Sequence, residues 1–313
     1  MSELPRAIHD LPCSRIALAV GIFDGVHRGH QAIIQQLLAI AEATHAEPVA
    51  LFFAPHPKAV LFGEQPPYLT NPKQKAGLLH QAGAAQVVCM PFTRELAALS
   101  PQAFLEGLLS GTPAVTGFCV GENWRFGNGN LGKAQDLASW CADHGLACQL
   151  VKQVCHDGDA ISSTRIRHAI QAGELAEAAA MLGRPVSICG TVRHGLGLAG
   201  RELQCPTANL QEPGQILPPN GVYAASATWE GRHAFGIVYV GDAPTIRSGQ
   251  PEIITELHLF DLEEVLYGKE VTISFQAFIR PSLHFSSPQA LQQQIEQDIR
   301  RARTLQKQGL PSR

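Results

Sequence analysis

The feature that most constrains the fold is an alternation in the first half of the chain. Short apolar runs take turns with segments of helical periodicity. Residues 15–22 form an apolar run interrupted by glycine at its end, followed by FDGVHRGH and then by QAIIQQLLAIAEATHA, which has helical spacing. Residues 48–53 (PVALFF), 86–90 (QVVCM), 114–120 and 147–151 read as further strands. Residues 73–82, 101–109 and 132–144 read as the helices between them. Strand–helix alternation predicts a parallel sheet covered by helices on both faces.

Near Ser162 the texture changes. The stretch SSTRIRHAIQAGELAEAAAMLG predicts two short helices broken at Gly173, and Pro185 follows. Short strands then come in close succession: VSICGTV, GVYAASATWEG, HAFGIVYVG, ITELHLFDL and GKEVTISFQAFI. Such spacing predicts a small β-barrel or sandwich. Residues 288–308 predict a charged C-terminal helix. A length of 313 residues suits two domains, and the change of texture puts their boundary at 182/183, giving domains 1–182 and 183–313.

Composition narrows the functional classes. A net charge of −3 gives no global basic field for nucleic acid or anionic membrane, although a local basic pocket for phosphates stays open. No stretch of about 18 uncharged apolar residues occurs, so no transmembrane helix is expected. The N-terminal MSELPRAIHDLPCSR lacks the apolar core of a signal peptide. The eight cysteines are scattered without a CxxC pair, as expected of free thiols in a reducing cytoplasm rather than of a zinc site.

The motif richest in chemistry is Gly21-Ile-Phe23-Asp24-Gly25-Val-His27-Arg-Gly29-His30, between a predicted strand and a predicted helix. Gly25 and Gly29 let backbone approach a ligand closely. The helix start offers unpaired N–H groups and a positive dipole end, both suited to phosphate. His27 and His30 share one side of the first helical turn and can donate to a phosphate chain. The competing readings are a glycine-rich turn with incidental histidines, or a metal pair lacking a third ligand.

Other segments admit two readings each. Pro55-His56-Pro57 is a rigid loop after a strand, or a device that holds His56 in place. Ser162, Ser163 and Thr164 look like an N-cap cluster, with Arg165 or Arg167 as charge partners for phosphates. Residues 127–134 fit GxxxxGK but end in Ala134, where a P-loop needs Ser or Thr for its metal, so a P-loop is rejected.

The HxGH pattern at the first strand–helix turn resembles the nucleotidylyltransferase superfamily. The wider pattern resembles the bacterial bifunctional riboflavin kinase/FAD synthetase family. Phe53-Ala-Pro55-His56-Pro57 is similar to that family's PHP loop, Gly121-Glu-Asn123-Trp-Arg125-Phe126-Gly127 to its GxDFRFG loop, and residues 161–167 to its ISSTxIR segment. In the second half, Gly195 and Gly200 lie in a glycine-rich arm before Pro206-Thr207-Ala-Asn209, which resembles PTAN. Residues 240–245 resemble IGxxPT, and Glu256-Leu-His258-Leu-Phe-Asp261 resembles ExHxxD.

The resemblance implies an α/β Rossmann-like nucleotidylyltransferase domain, then a six-stranded β-barrel with a C-terminal helix. It implies conversion of riboflavin to FMN and of FMN to FAD, each with ATP and Mg²⁺. Catalysis would fall to His27, His30 and Glu256. Gly21, Phe23, Asp24, Gly25 and Gly29, with Ser162, Ser163, Thr164, Arg167, Gly195 and Gly200, would meet the nucleotide. Pro55, His56, Pro57, Asn123, Arg125, Phe126 and Arg280 would meet the flavin, and Thr207 and Asn209 the metal. Arg280 has a second reading as the partner of a carboxylate.

The sequence departs from the family pattern in places. Asn123-Trp124 replaces Asp-Phe, Phe52 replaces a Thr, and Asn130 replaces an Arg, all on the acceptor side rather than in the phosphate cradle. In the second half Gln204-Cys205 replaces Gly-Phe, Ala199 an Arg and Tyr239 an Asn. The alternatives are a chain whose adenylyltransferase alone is active, or a flavin-binding regulator without catalysis. Mere flavin binding needs none of His27, His30, Thr207, Asn209 or Glu256. The expected partners are small molecules, with no nucleic acid or membrane, and the expected state is a monomer or weak homo-oligomer.

Overall fold

The computed structural model describes residues 4–111, 113–194, 208–211, 214–242, 253–262 and 264–308. The chain divides into two compact units, Met1–Ser163 and Thr164–Arg313.

In the first unit the alternation becomes β1 (Arg15–Val20), α1 (Arg28–Ala43), β2 (Glu47–Ala54), α2 (Pro57–Phe62), α3 (Pro72–Gln81) and β3 (Gln86–Pro91). It continues with α4 (Arg94–Ala98), α5 (Pro101–Leu109), β4 (Ala114–Gly121), β5 (Arg125–Phe126), β6 (Gly132–Lys133), α6 (Ala134–Asp143) and β7 (Ala147–Val151). A small hairpin, β8 (Cys155–His156) and β9 (Asp159–Ala160), closes the unit. The parallel sheet has the order β3-β2-β1-β4-β7. Strand β1 is central because the chain winds outward through β2 and β3, then crosses back to β4 on the other side.

The two faces of β1 explain the layers. Ile16, Leu18 and Val20 pack with Phe104, Leu105 and Leu108 of α5 and Leu137 of α6. Ala17 and Ala19 face the other way, against Ile34 and Leu37 of α1 and Leu79 of α3. Small residues on that face let α1 lie close to the strand whose turn it receives.

Residues 132–144, expected to be helical throughout, differ at their start. Gly132 and Lys133 pair with Phe126 and Arg125 as a ribbon, and the helix begins at Ala134. A Cβ at Gly132 would stand 2.8 Å from the Phe126 ring, so the ribbon crosses that ring only with glycine there. Gly127–Asn130 form a tight turn, not the strand-to-helix cradle of a P-loop.

The second unit opens with α7 (Ser163–Gln171), whose first residue still belongs to the first unit, and α8 (Leu175–Leu182). Strands β10 (Ser187–His194), β11 (Ala208–Gln211), β12 (Gly221–Trp229), β13 (Arg232–Asp242), β14 (Ile253–Leu259) and β15 (Glu270–Pro281) follow. They close into a barrel in the order β10-β11-β14-β13-β12-β15. This resolves the expectation of a barrel or a sandwich in favour of the barrel. Along β14, Thr255, Leu257 and Leu259 are buried, while Glu256 and His258 between them take the opposite, half-buried face.

Helix α9 (Pro288–Lys307) packs Ala302, Ile299 and Leu305 over Val222, Ala224, Ile237 and Ile279 on the outside of the barrel. Its anchor is electrostatic. Arg280 Nε donates to both carboxylate oxygens of Asp298, at 3.0 and 2.9 Å, and Asp298 is only 3% exposed. Gln294 donates to the same carboxylate at 3.0 Å. Asp298→Ala strands a charge that is 13% exposed and is expected to destabilise the chain by about 3–5 kcal/mol, read by urea unfolding.

Candidate functional site

In open α/β sheets, ligands bind beyond the carboxyl ends of the strands, where the winding direction reverses. That point lies between β1 and β4, and the chain leaving β1 there is the Gly21–His30 turn. Fold and motif locate the same spot independently.

The turn is not relaxed backbone. Phe23 has φ 50° and Val26 has φ 40°, left-handed values that are costly for an aromatic and a β-branched residue. Gly25 (φ 84°) holds its own left-handed value without that cost. His27 is the N-cap of α1, with Nδ1 accepting from the His30 N–H at 3.4 Å. The His27 and His30 rings are stacked, with centroids 3.6 Å apart and planes at 20°, and Phe23 meets His30 edge-on at 5.3 Å. The structure therefore brings together the two histidines and the helix start expected to meet a phosphate chain.

Asp24 is 1% exposed. Its carboxylate receives the Leu69 N–H at 3.1 Å and the Thr70 N–H at 3.1 Å, so it holds a neighbouring segment. Ser163 donates its hydroxyl to the Asp24 carbonyl at 2.9 Å, while Ser162 and Thr164 beside it are exposed. Arg165 pairs with Glu177 at 2.6 Å, so one of the two arginines expected to meet phosphates is engaged by a carboxylate.

On the flavin side, His56 caps α2 by accepting from the Lys58 N–H at 3.1 Å, flanked by Pro55 and Pro57. Phe62, at the end of α2, is 70% exposed and was not singled out from the sequence. Asn123 and Arg125 are exposed. Phe126 is different, being 6% exposed within the core. It is stacked on Trp124 at 4.5 Å and lies 6.0 Å from Phe104, so its ring supports the loop from below. Arg280 realises the carboxylate alternative, through Asp298.

In the barrel, strand register sets the polar row. Arg193 pairs with Asn209, Asn209 with Glu256, and Glu256 with Tyr239 across adjacent strands. Burial pushes the Glu256 carboxyl above the usual carboxylate range, so its anion is the stronger base. Asn209 Oδ1 is buried and has no hydrogen-bond partner among the described residues. Further along, His258 on the same face of β14 and Phe260 just past the strand's end line a groove with Ile299 and Arg303 of α9. Gly195, Gly200 and Thr207 lie outside the described residues, as do Ala199, Gln204 and Cys205.

Sequence reasoning passed over the segment beneath the turn. Thr70 and Lys75 are buried at 1% and 3% exposure. The available signal was Lys75 beside Ala76 and one turn before Leu79, a charge on the apolar stripe of a predicted helix.

The fold and the turn define a nucleotide-binding α/β unit followed in sequence by a closed barrel. Residues 12–165 match the family model described as FAD synthetase, and residues 182–306 match that described as riboflavin kinase. The bifunctional riboflavin kinase/FMN adenylyltransferase of Listeria monocytogenes is 36% identical over 284 residues, covering 90% of this chain and 89% of its own. That of Escherichia coli K12 is 34% identical over 306 residues, covering 96% and 97%. This chain belongs to the bifunctional riboflavin kinase/FMN adenylyltransferase family. A crystal structure described as a macrolide-efflux protein from Streptococcus pneumoniae shares the fold, with TM-score 0.82 and 27% identity over 95% of this chain and 97% of that one. Among the described residues, no helix is long and apolar enough to cross a membrane.

Proposed function

We propose that this chain phosphorylates riboflavin to FMN in its barrel and adenylylates FMN to FAD at the Gly21–His30 turn, with ATP as donor in both steps. The observation that carries the reading is the stacked His27–His30 pair at the start of α1, at the reversal point of the sheet.

In the second step an oxygen of the FMN phosphate attacks the α-phosphorus of ATP, and pyrophosphate leaves. The nucleophile is already an anion, so the site needs alignment and charge stabilisation rather than a base. His27, His30 and the first N–H groups of α1 supply these, and the sequence pattern at residues 161–167 assigns Arg167 to the phosphates as well. Gly21, Phe23, Gly25 and Gly29 shape the cradle around the phosphates, and Asp24 holds it from behind. Ser162, Ser163 and Thr164 contribute polar contacts to the nucleotide. Pro55, His56, Pro57, Asn123 and Arg125 face the flavin, with Phe62 as an exposed ring for it to stack on.

In the first step the riboflavin 5′-hydroxyl must lose a proton to attack the γ-phosphorus, releasing ADP. Glu256 is the base, and the flavin ring lies along the groove at His258 and Phe260, because β14 puts Glu256 and His258 on one face and Phe260 follows directly after the strand. Gly195 and Gly200, outside the described residues, are assigned to the ATP side by the glycine-rich pattern before Pro206. The buried, unsatisfied Oδ1 of Asn209 beside Glu256 fits a hard cation, and Thr207 two residues earlier completes the pair. These residues would hold Mg²⁺, which would supply positive charge to the nucleotide phosphates. Chelation with EDTA is expected to stop FMN formation, and added Mg²⁺ to restore it.

We place the domain boundary at 182/183, supported by the end of α8 at Leu182 and the left-handed Gly183 (φ 73°), although the compact units divide earlier, at Ser163/Thr164. The enzyme acts in the cytoplasm on small molecules, as a monomer or weak homo-oligomer. Incubation with riboflavin, ATP and Mg²⁺ tests the whole reading. FMN followed by FAD is the expected outcome. Bound flavin without turnover, or one product alone, overturns it.

A further inference from the structure

The Gly21–His30 turn holds two non-glycine residues at left-handed φ, Phe23 at 50° and Val26 at 40°. Such conformations cost on the order of 1–3 kcal/mol each and persist only where surrounding contacts over-determine them. Residues 69–75 make such contacts from beneath. Thr70 Oγ1 accepts the Gly25 N–H at 3.1 Å and donates to Asp24 Oδ1 at 3.3 Å. The Leu69 and Thr70 amides bond the same Asp24 carboxylate. Lys75 reaches from α3 and donates Nζ to the Ile22 carbonyl at 2.8 Å, while the cation sits 4.7 Å from the Phe52 ring centroid on β2. The turn is thus gripped at Ile22, Asp24 and Gly25, the residues flanking strained Phe23.

A lysine that is 3% exposed is rare, because burying an ammonium costs several kcal/mol unless its partners compensate. Here a charge-assisted hydrogen bond and an aromatic face do so, both fixed by parts of the α/β unit. Phe23 in turn meets His30 edge-on, so a change in the turn moves an imidazole.

We propose that Lys75, with Thr70, is a positioning residue for adenylyl transfer. It touches no substrate and acts by holding the turn in the strained conformation that aims His27 and His30. The proposal rests on the adenylyltransferase reading above and extends it to residues outside the phosphate cradle. Holding donors in place before reaction contributes to kcat more than to ground-state binding. A loosened turn can still bind nucleotide but no longer presents its donors in register.

The experiment uses the full chain with Lys75→Met, Lys75→Arg, Thr70→Val and Thr70→Ser, measuring FAD formation from FMN and, separately, FMN formation from riboflavin. Lys75→Met is expected to lower kcat for FAD formation at least tenfold, with KM for ATP within about threefold. Lys75→Arg, which keeps the charge and a donor, is expected to recover most of the rate. FMN formation should be unchanged throughout, as it would not be after general unfolding. If Lys75→Met fails to fold, the near-isosteric Thr70→Val carries the same expectation, with Thr70→Ser as its rescue. A folded Lys75→Met or Thr70→Val chain with wild-type kcat overturns the proposal. So does a loss confined to KM, or a loss of both activities together. A wild-type chain that makes no FAD would overturn the functional reading, and this inference with it.

Discussion

His30→Ala is expected to lower FAD formation from FMN by about two to three orders of magnitude and to leave FMN formation from riboflavin intact. The expectation follows from what the ring does. It stacks on His27 at 3.6 Å and is held edge-on by Phe23 at 5.3 Å, at the N-terminus of α1. On the proposed mechanism its loss removes one donor to the charge that develops on the α-phosphoryl oxygens and unseats the other. Removing one such donor commonly raises a barrier by about 2.7–4 kcal/mol. The ring is only half-buried, so alanine opens no closed core cavity, and the melting temperature should barely move. Separate assays of the two steps on one preparation make the measurement. Loss of both activities in a folded chain would show that the two reactions do not have separate sites.

The mirror image is Glu256→Gln. The substitution keeps the shape and removes the proposed base, and general-base contributions are typically about 10²–10⁴-fold, so FMN formation is expected to fall by about that factor. FAD formation from supplied FMN should persist, because its nucleophile is already ionised. Glu256 lies across from Asn209 and Tyr239, in a setting whose burial raises its pKa. The neutral amide avoids the cost of a buried charge, so the variant should be at least as stable as the parent. Wild-type FMN formation by Glu256→Gln would remove Glu256 from the mechanism.

The two sites differ in how much of them could be read along the chain. Strands β1 to β4 and β7, the helices that cover them and the Gly21–His30 motif were legible because each rests on neighbours a few residues apart. The short helices α2 and α4 and the ribbon β5–β6 were not expected, since each has too few residues to show a period. Phe126 illustrates a different failure. Its segment matched a flavin-side loop, but a motif does not say which aromatic of Trp124 and Phe126 stands above the other. Burial puts Phe126 beneath, at 6% exposure, with the partly buried Trp124 stacked on it. Arg280 was open between phosphate and carboxylate until α9 brought Asp298 to it from 18 residues away.

By itself the sequence determined the types of the longer elements, the glycine and histidine chemistry of the first turn, and the family to which the chain belongs. These are local or linear properties, carried by periodicity and spacing. Only the tertiary structure decided the strand order that puts β1 at the reversal point, the closure of the barrel, and the meeting of Asn209 with Glu256. It alone showed the turn gripped by Thr70, 46 residues from Asp24, and by Lys75, 53 residues from Ile22. Contacts at that separation depend on how whole elements pack, and no local pattern encodes them.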